Sequence, residues 1–193
     1  MSEAPEPLAG LIREHRLIEE TVAATLLRVR AANTTPDDAD VVGAAVEQLW
    51  LLQLLLERDV ALHIEKEEQV LFPALRQAAA GLTRLVDHMI DEHDEIKARR
   101  DGLGQALTTL DAEHEEVLRL QASVELAAAR VRHGDIISNL QNLAGLIERL
   151  DWVFQGHFTG EEDGLFLPAE DLLSADTFAT MAERMAALAA ARS

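Results

Sequence analysis

Apolar residues recur at intervals of three and four along most of the chain, which places them on one face of an α-helix. This pattern predicts four long helices over about residues 8–32, 41–72, 82–110 and 135–166. Their alternation predicts an up-down-up-down four-helix bundle. A further helical piece over about 111–132, broken near Gly134, would form an extended connection between helices three and four. An extra C-terminal helix is predicted over about 174–191.

The composition also favours an all-α fold. Tyrosine is absent and the 193 residues include five Phe and two Trp, whereas Ala, Leu, Glu and Arg, which favour helices, are common. A chain of this length suits one domain with a sizeable core. We therefore expect a single domain over residues 1–193, with its bundle over about 8–168.

The charge of the chain excludes some partners. Lys and Arg number 17 against 35 Asp and Glu, a net charge of −18, which repels nucleic-acid phosphates. The absence of cysteine excludes disulfides and thiolate metal ligands. The first residues lack a signal peptide, and we find no run of about 20 apolar residues that would cross a membrane. We expect a cytoplasmic protein that binds neither nucleic acid nor membranes.

One motif occurs twice. "HIEKEEQVLFP" at residues 63–73 and "HFTGEEDGLFLP" at residues 157–168 share the pattern His-x3-Glu-Glu-x2-Leu-Phe. At about 100° per residue, His63 and Glu67 lie along the apolar face of helix two. His157 and Glu161 extend the apolar line of helix four. Each copy therefore directs one imidazole and one carboxylate towards the core.

Two further histidines share this direction. His15 falls within the apolar stripe of helix one and His93 within that of helix three, whereas His88 is about 110° away from it. In an alternating bundle, the four inward histidines meet at the same end. His114 and His133 have polar neighbours, and we expect them to face solvent.

Inward carboxylates require a counter-charge, because burying an ionised group alone is costly. Two cations would supply it, and imidazole and carboxylate ligands suit Fe, Mn, Zn or Cu. Two bridging glutamates and two histidines would give each ion four protein ligands. On an octahedral ion, about two positions would then remain for an oxo or hydroxo bridge and an outside molecule. Glu19 shares the face of His15 and either supports that imidazole or is an ordinary helix charge. Glu68 and Glu162 are expected to face solvent, with Glu162 the alternative to Glu161 as a ligand.

The combined pattern resembles the hemerythrin-like, or HHE cation-binding, family over about Leu8 to Pro168. The resemblance implies a four-helix bundle with a non-haem di-iron centre. Its terminal iron ligands would be His15, His63, His93 and His157, and its bridging carboxylates Glu67 and Glu161. Glu92-His93 matches the third-helix motif of the family.

The sequence also departs from known branches of that family. Oxygen carriers have a second third-helix histidine at His-x3-His, but Met89 and Lys97 lie four positions from His93, and His88 lies five away. Four histidines and two glutamates are closer to the di-iron repair branch, whose N-terminal cysteine segment this chain lacks. The resemblance implies a protein that binds or reacts with O2, NO or peroxide, as sensor, scavenger or carrier.

Other functions remain open. If the protein is an enzyme, a peroxide- or NO-processing oxidoreductase is expected. Mn or Zn could replace iron, because ligand spacing does not select the metal. A metal-free acidic helical bundle acting as an interaction protein, or a metal-storage protein, is the alternative. A ferritin-like site is disfavoured, because it uses Glu-x-x-His in place of His-x3-Glu.

Overall fold

The computed structural model describes the backbone of residues 4–122 and 126–192, and the side chains of residues 4–110 and 137–192. The backbone forms five long helices: α1 (Glu6–Thr34), α2 (Ala39–Ala78), α3 (Thr83–Ala122), α4 (Leu126–Glu161) and α5 (Ala175–Ala191). No strand occurs within those backbone ranges. The predictions of an all-α fold and of an extra C-terminal helix are confirmed within the described residues.

The connection between helices three and four differs from the expectation. A separate helical piece ending at Gly134 was predicted, but α3 continues to Ala122 and α4 already begins at Leu126. The expected break is therefore wrong. A glycine in a helix interior costs only about 1 kcal/mol relative to alanine, which a long helix tolerates. Both α3 and α4 are therefore longer than the sequence predicted.

π turns interrupt the two helices that carry the repeated motif. In α2 they span Leu56–Val60 and Glu67–Leu71, and α4 continues into a π turn over Glu162–Phe166. Helical turns then follow at Phe72–Ala78 and Leu167–Leu172, each with a proline near its start. The wider turn relieves the clash between a proline ring and the carbonyl four residues earlier. Each helix thus continues past its proline.

The chain divides into two compact units. The first contains Met1–Glu19, Leu56–Lys97 and Val153–Ser193, and the second contains Glu20–Leu55 and Ala98–Trp152. A buried apolar core of the first unit includes Leu8, Leu11, Leu71, Phe72, Val86, Leu165 and Phe166. In the second unit the buried residues include Val22, Leu49, Leu52, Leu103, Leu107, Leu140 and Ile147. All six predicted site residues belong to the first unit.

The C-terminal helix α5 packs within the first unit. The Ser174 hydroxyl accepts a hydrogen bond from the Thr177 backbone N–H and so caps its start. Phe178, Met181 and Met185 are buried in the core of the unit. Arg184 donates a hydrogen bond to the Gln69 carbonyl at 2.6 Å. The helix therefore covers the motif-bearing part of α2.

Helix α2 contains an apolar stretch that satisfies a length and composition criterion for crossing a membrane. No such stretch was expected from the sequence. The criterion is weak evidence for a single helix, because core helices of soluble proteins also meet it. Leu49, Leu52 and Leu56 of this helix are fully buried by the protein itself.

Candidate metal centre

The structure brings the six predicted site residues together. They are located on α1 to α4 within the first unit, and every one is at most 1% exposed. Four histidines and two glutamates in a core otherwise made of apolar residues are costly unless their polar atoms are satisfied. Their role as metal ligands stays a prediction, but their convergence is a property of the fold.

The six side chains form two clusters that share both carboxylates. In each cluster, one ligand atom from every residue lies within 4.8 Å of the others. The first cluster consists of His15, His63, Glu67 and Glu161, and the second of Glu67, His93, His157 and Glu161. Each cluster therefore offers two imidazole nitrogens and two carboxylate oxygens.

The Glu67 carboxylate is divided between the clusters. Its Oε1 lies 3.2 Å from His63 Nε2, and its Oε2 lies 3.3 Å from His93 Nε2. One oxygen therefore faces each pair of histidines. This is the orientation that a carboxylate needs in order to bridge two cations.

Glu161 repeats this division. Its Oε2 lies 3.4 Å from His15 Nε2, and its Oε1 lies 3.5 Å from His157 Nε2. The two glutamates occur one per motif copy, so the repeated sequence places two bridging-type carboxylates in the same centre. The alternative in which Glu162 takes this inner place is wrong, because Glu162 is 37% exposed and faces the outer side of His15.

Six buried atoms of the centre have no hydrogen-bond partner among the described residues. They are both carboxylate oxygens of Glu67, both of Glu161, and the Nε2 atoms of His93 and His157. Buried polar atoms are nearly always satisfied, so a cluster of carboxylate oxygens and ring nitrogens without hydrogen-bond partners is a donor set that suits a cation. Nitrogen and oxygen donors without sulfur suit Fe, Mn or Zn. The residues present therefore fit a pair of metal ions.

Four further glutamates form an outer ring around the histidines. Each Nδ1 atom donates a hydrogen bond to one of them, at 2.8 Å or 2.9 Å. The pairs are His63 with Glu14, His93 with Glu68, His157 with Glu92, and His15 with Glu162. Each helix thus supplies the carboxylate that supports a histidine of another helix. With Nδ1 held outside, every Nε2 is directed inwards.

A longer repeat explains the outer ring. Glu14 precedes His15 as Glu92 precedes His93, and Glu68 follows Glu67 as Glu162 follows Glu161. The complete repeat is therefore Glu-His followed by His-x3-Glu-Glu, and it occurs twice. The first Glu-His pair is the signal that identifies Glu14, which the sequence analysis did not single out.

The structure decides between the two alternatives for Glu19 and corrects the expectations for Glu68 and Glu162. The carboxylate behind His15 is Glu162, so Glu19 does not hold that position. Glu68 and Glu162 are partly exposed, at 31% and 37%, but each bonds a histidine of the centre and is not a simple solvent-facing charge. The helical phase placed them near the surface correctly. It did not reveal which neighbouring helix they face.

Phenyl rings enclose the imidazoles. Phe158 stacks on His15 with ring centroids 3.9 Å apart, and Phe72 stacks on His93 at 5.7 Å. Phe166 also lies over His15, at 5.6 Å. Such rings exclude water, and the low local dielectric strengthens the electrostatic interactions of the centre.

The pKa values of the first-cluster histidines are high. Burial alone would lower the pKa of His15, but the carboxylates of Glu161 and Glu67 raise it to about 9. Burial likewise opposes ionisation of His63, whereas the charge of Glu67 and the hydrogen bond to Glu14 raise its pKa to about 10. In the absence of a metal, protons therefore supply part of the counter-charge.

The two inner carboxylates have opposite shifts. Burial would raise the pKa of Glu67, but His63 and the other imidazoles hold it well below its usual value. The pKa of Glu161 is raised by burial and then by the negative charge of Glu67. Two carboxylates in one dry site cannot both ionise freely without nearby positive charge.

Among the described histidines, His88 lies outside the centre. His88 is 62% exposed, and its Nε2 lies 3.4 Å from Glu92 Oε1. Helix α3 is α-helical at this position, so no π turn brings His88 inwards. The side chains of His114 and His133, which we expected to face solvent, lie outside the described residues.

Comparison with protein families gives a match over two ranges of the chain. The model of the hemerythrin HHE cation binding domain matches residues 6–108 and residues 105–190. Together these ranges include all six residues of the two clusters. Searches of curated proteins and of solved structures gave no match.

Proposed function

The chain belongs to the hemerythrin HHE cation-binding domain family, and from this premise we propose that it is a non-haem di-iron protein that binds or reacts with a small oxidant. Candidate oxidants are O2, NO and peroxide. The observation that carries the proposal is the division of Glu67 and Glu161 between two pairs of inward imidazoles. A site for a single ion would not require both carboxylates to be divided between two pairs of imidazoles.

In this proposal, His15 and His63 would hold one ion and His93 and His157 the other, and both inner glutamates would contribute an oxygen to each. A pair of iron ions with open positions would supply redox chemistry and a place for an outside molecule. The absence of thiolate and phenolate side chains limits the donors to imidazole and carboxylate. The exposed position of His88 favours this six-residue set over five-histidine coordination.

The chain itself orients the imidazoles and excludes water. The outer ring holds the proton of each histidine on Nδ1. This selects the tautomer in which Nε2 carries the lone pair that can bind a metal. Phe158 and Phe72 cover the imidazole faces of His15 and His93. We expect a centre covered in this way to admit only a small ligand. Whether the protein acts as sensor, scavenger, carrier or oxidoreductase depends on the fate of that ligand.

Metal analysis of protein expressed in iron-rich medium tests the proposal. We expect about two Fe per chain and the near-ultraviolet absorption of an oxo-bridged pair. Less than about 0.3 Fe per chain, with Zn or Mn in its place, would favour the metal-storage alternative. Protein that binds none of these metals would favour the interaction bundle. Mixing the reduced protein with O2, NO and peroxide in turn then identifies the ligand.

A further inference from the structure

Lysine occurs at only two positions in this chain. Lys and Arg together number 17, but positions 66 and 97 are the only lysines in the sequence. Both contact the outer ring of the candidate metal centre: Lys66 bonds Glu14 and Lys97 bonds Glu68. The other 15 residues of this count are arginines. In the first unit one of them, Arg192, forms an ion pair with Glu65.

The two lysines share their carboxylates with histidines of the centre. Lys66 Nζ bonds Oε1 of Glu14, while Oε2 of the same carboxylate accepts from His63 Nδ1 at 2.9 Å. Lys66 is only 13% exposed. The positive charge is therefore one carboxylate away from a predicted ligand and poorly screened by water.

The second lysine repeats this arrangement on the other cluster. Lys97 Nζ lies 3.2 Å from Glu68 Oε1, which also accepts from His93 Nδ1 at 2.9 Å. Asp94 contacts the same ammonium at 3.2 Å. Because Lys97 is 38% exposed, solvent screens its charge more than that of Lys66.

The lysines break the repeat of the sequence. Lys66 precedes Glu67, but Gly160 precedes Glu161; Lys97 lies four residues after His93, but Glu19 lies four after His15. No lysine occupies the corresponding positions for Glu92 and Glu162. Each cluster thus contains one imidazole supported by a lysine-bound carboxylate and one supported by a carboxylate that no lysine contacts.

The residue type suits this position. An ammonium is a compact point charge that occupies one oxygen and leaves the other for an imidazole, as at Glu14. A guanidinium prefers to bind both oxygens of a carboxylate as a fork. Lysine can therefore offset the charge of an outer glutamate without displacing the histidine.

We propose that Lys66 and Lys97 offset the negative charge of Glu14 and Glu68 and so limit how tightly the two clusters hold their cations. The inference rests on the proposed function, because it requires that the clusters bind metal. Removing either ammonium leaves an uncompensated carboxylate behind a ligand imidazole. The imidazole then becomes a stronger donor, and the local field becomes more attractive to a cation.

The test measures Zn2+ affinity by competition with a chelator, using Lys66→Met and Lys97→Met. We expect Zn2+ to bind about three- to tenfold more tightly to each variant, with the larger effect at the less exposed Lys66. Lys66→Arg keeps the charge but competes with His63 for both oxygens of Glu14, so it should not tighten Zn2+ binding as Lys66→Met does. Arg192→Met, which loses a cation paired with Glu65 on the same unit, is the matched control and should also change affinity less than about twofold.

A double-mutant cycle tests the route of the effect. In a Glu14→Gln background, the carboxylate that Lys66 offsets is already neutral, so Lys66→Met should tighten Zn2+ binding less than it does in the wild-type background. Thermal unfolding of each apoprotein, measured by circular dichroism, detects variants that merely damage the fold. A purely structural lysine would weaken metal binding in step with that loss of stability.

Unchanged or weaker Zn2+ binding by both methionine variants would overturn the inference, as would a Lys66→Arg protein that behaves like Lys66→Met. These outcomes leave the proposed function intact if the wild type binds two ions. A wild type that binds neither Zn2+ nor Fe would instead remove the proposed function, and the inference with it.

Discussion

The two clusters of the candidate metal centre have the same inner plan and different surroundings. Each contains two histidines and one oxygen from each bridging-type glutamate. In the first, Phe158 stacks closely on His15, at 3.9 Å; in the second, the ring that stacks on His93 is 5.7 Å away. Behind the second cluster, the exposed His88 lies beside Glu92.

This difference shows which part of the centre the repeated sequence determines. The repeat places imidazole and carboxylate donors symmetrically, because its spacing fixes their helical phase. Residues at the variable positions of the motif differ between the copies, such as Phe158 where the first copy has Ile64. Equal ligand sets can therefore hold inequivalent ions, and mutations in the two clusters distinguish shared components from separate ones.

The largest effect is expected at the shared carboxylates. Glu161→Gln keeps the side-chain shape but removes the charge from a group that contributes one oxygen to each cluster. We expect both ions to be lost, from about two metals per chain to less than about 0.5. Metal content by mass spectrometry checks this. Glu170→Gln, at an exposed position further along the chain, is the control. Loss of a single ion would show that Glu161 serves only one cluster.

A smaller effect is expected at the terminal histidines, because each belongs to one cluster. His63→Ala should lower metal content mainly in the first cluster and His157→Ala mainly in the second, leaving about one ion per chain. His88→Ala is the control, since this side chain is exposed and outside both clusters. His114→Ala and His133→Ala should also leave metal content unchanged. Equal losses in all five variants would contradict the assignment of inner and outer histidines.

The smallest effect concerns pH and the metal-free protein. The folded-state pKa values of His15 and His63, about 9 and about 10, exceed the ordinary value of 6.5. Their protonation therefore stabilises the apoprotein fully below about pH 6.5, and this stabilisation is lost as the pH rises through 9 and 10. The apoprotein Tm, measured by circular dichroism, should fall between pH 7 and pH 10.

The Zn2+-loaded protein provides the comparison for this prediction. Metal ions replace the protons on His15 and His63, so its Tm should fall less over the same range. A His63→Ala apoprotein should also show a flatter profile. An apoprotein Tm that rises from pH 7 to pH 10 would contradict the assignment of protons on His15 and His63 as the counter-charge of the inner carboxylates.

The inner site and the fold class were predictable because both depend on helical periodicity. His15, His63, His93 and His157 share a face with Leu, Ile and Val residues, and burial follows from phase alone. Helix ends were harder to predict. Glycine is typical of a helix break, but the free-energy cost of Gly134 is small within a long helix.

The outer ring was not predictable from phase. Glu14, Glu68, Glu92 and Glu162 lie beside the buried faces, where a charge can face either solvent or another helix. Which of these occurs depends on how helices pack against one another, and periodicity within one helix does not determine that. The π turns also lacked a clear signal, because Pro73 and Pro168 are compatible with either a helix end or a widened turn.

Anomalous diffraction at the iron absorption edge, from crystals of iron-loaded protein, tests the central claim most directly. The account predicts two peaks about 3.5–4 Å apart, one beside His15 and His63 and one beside His93 and His157, with Glu67 and Glu161 between them. A single peak, a pair of peaks held by other residues, or fully loaded protein with no density between the clusters would contradict it.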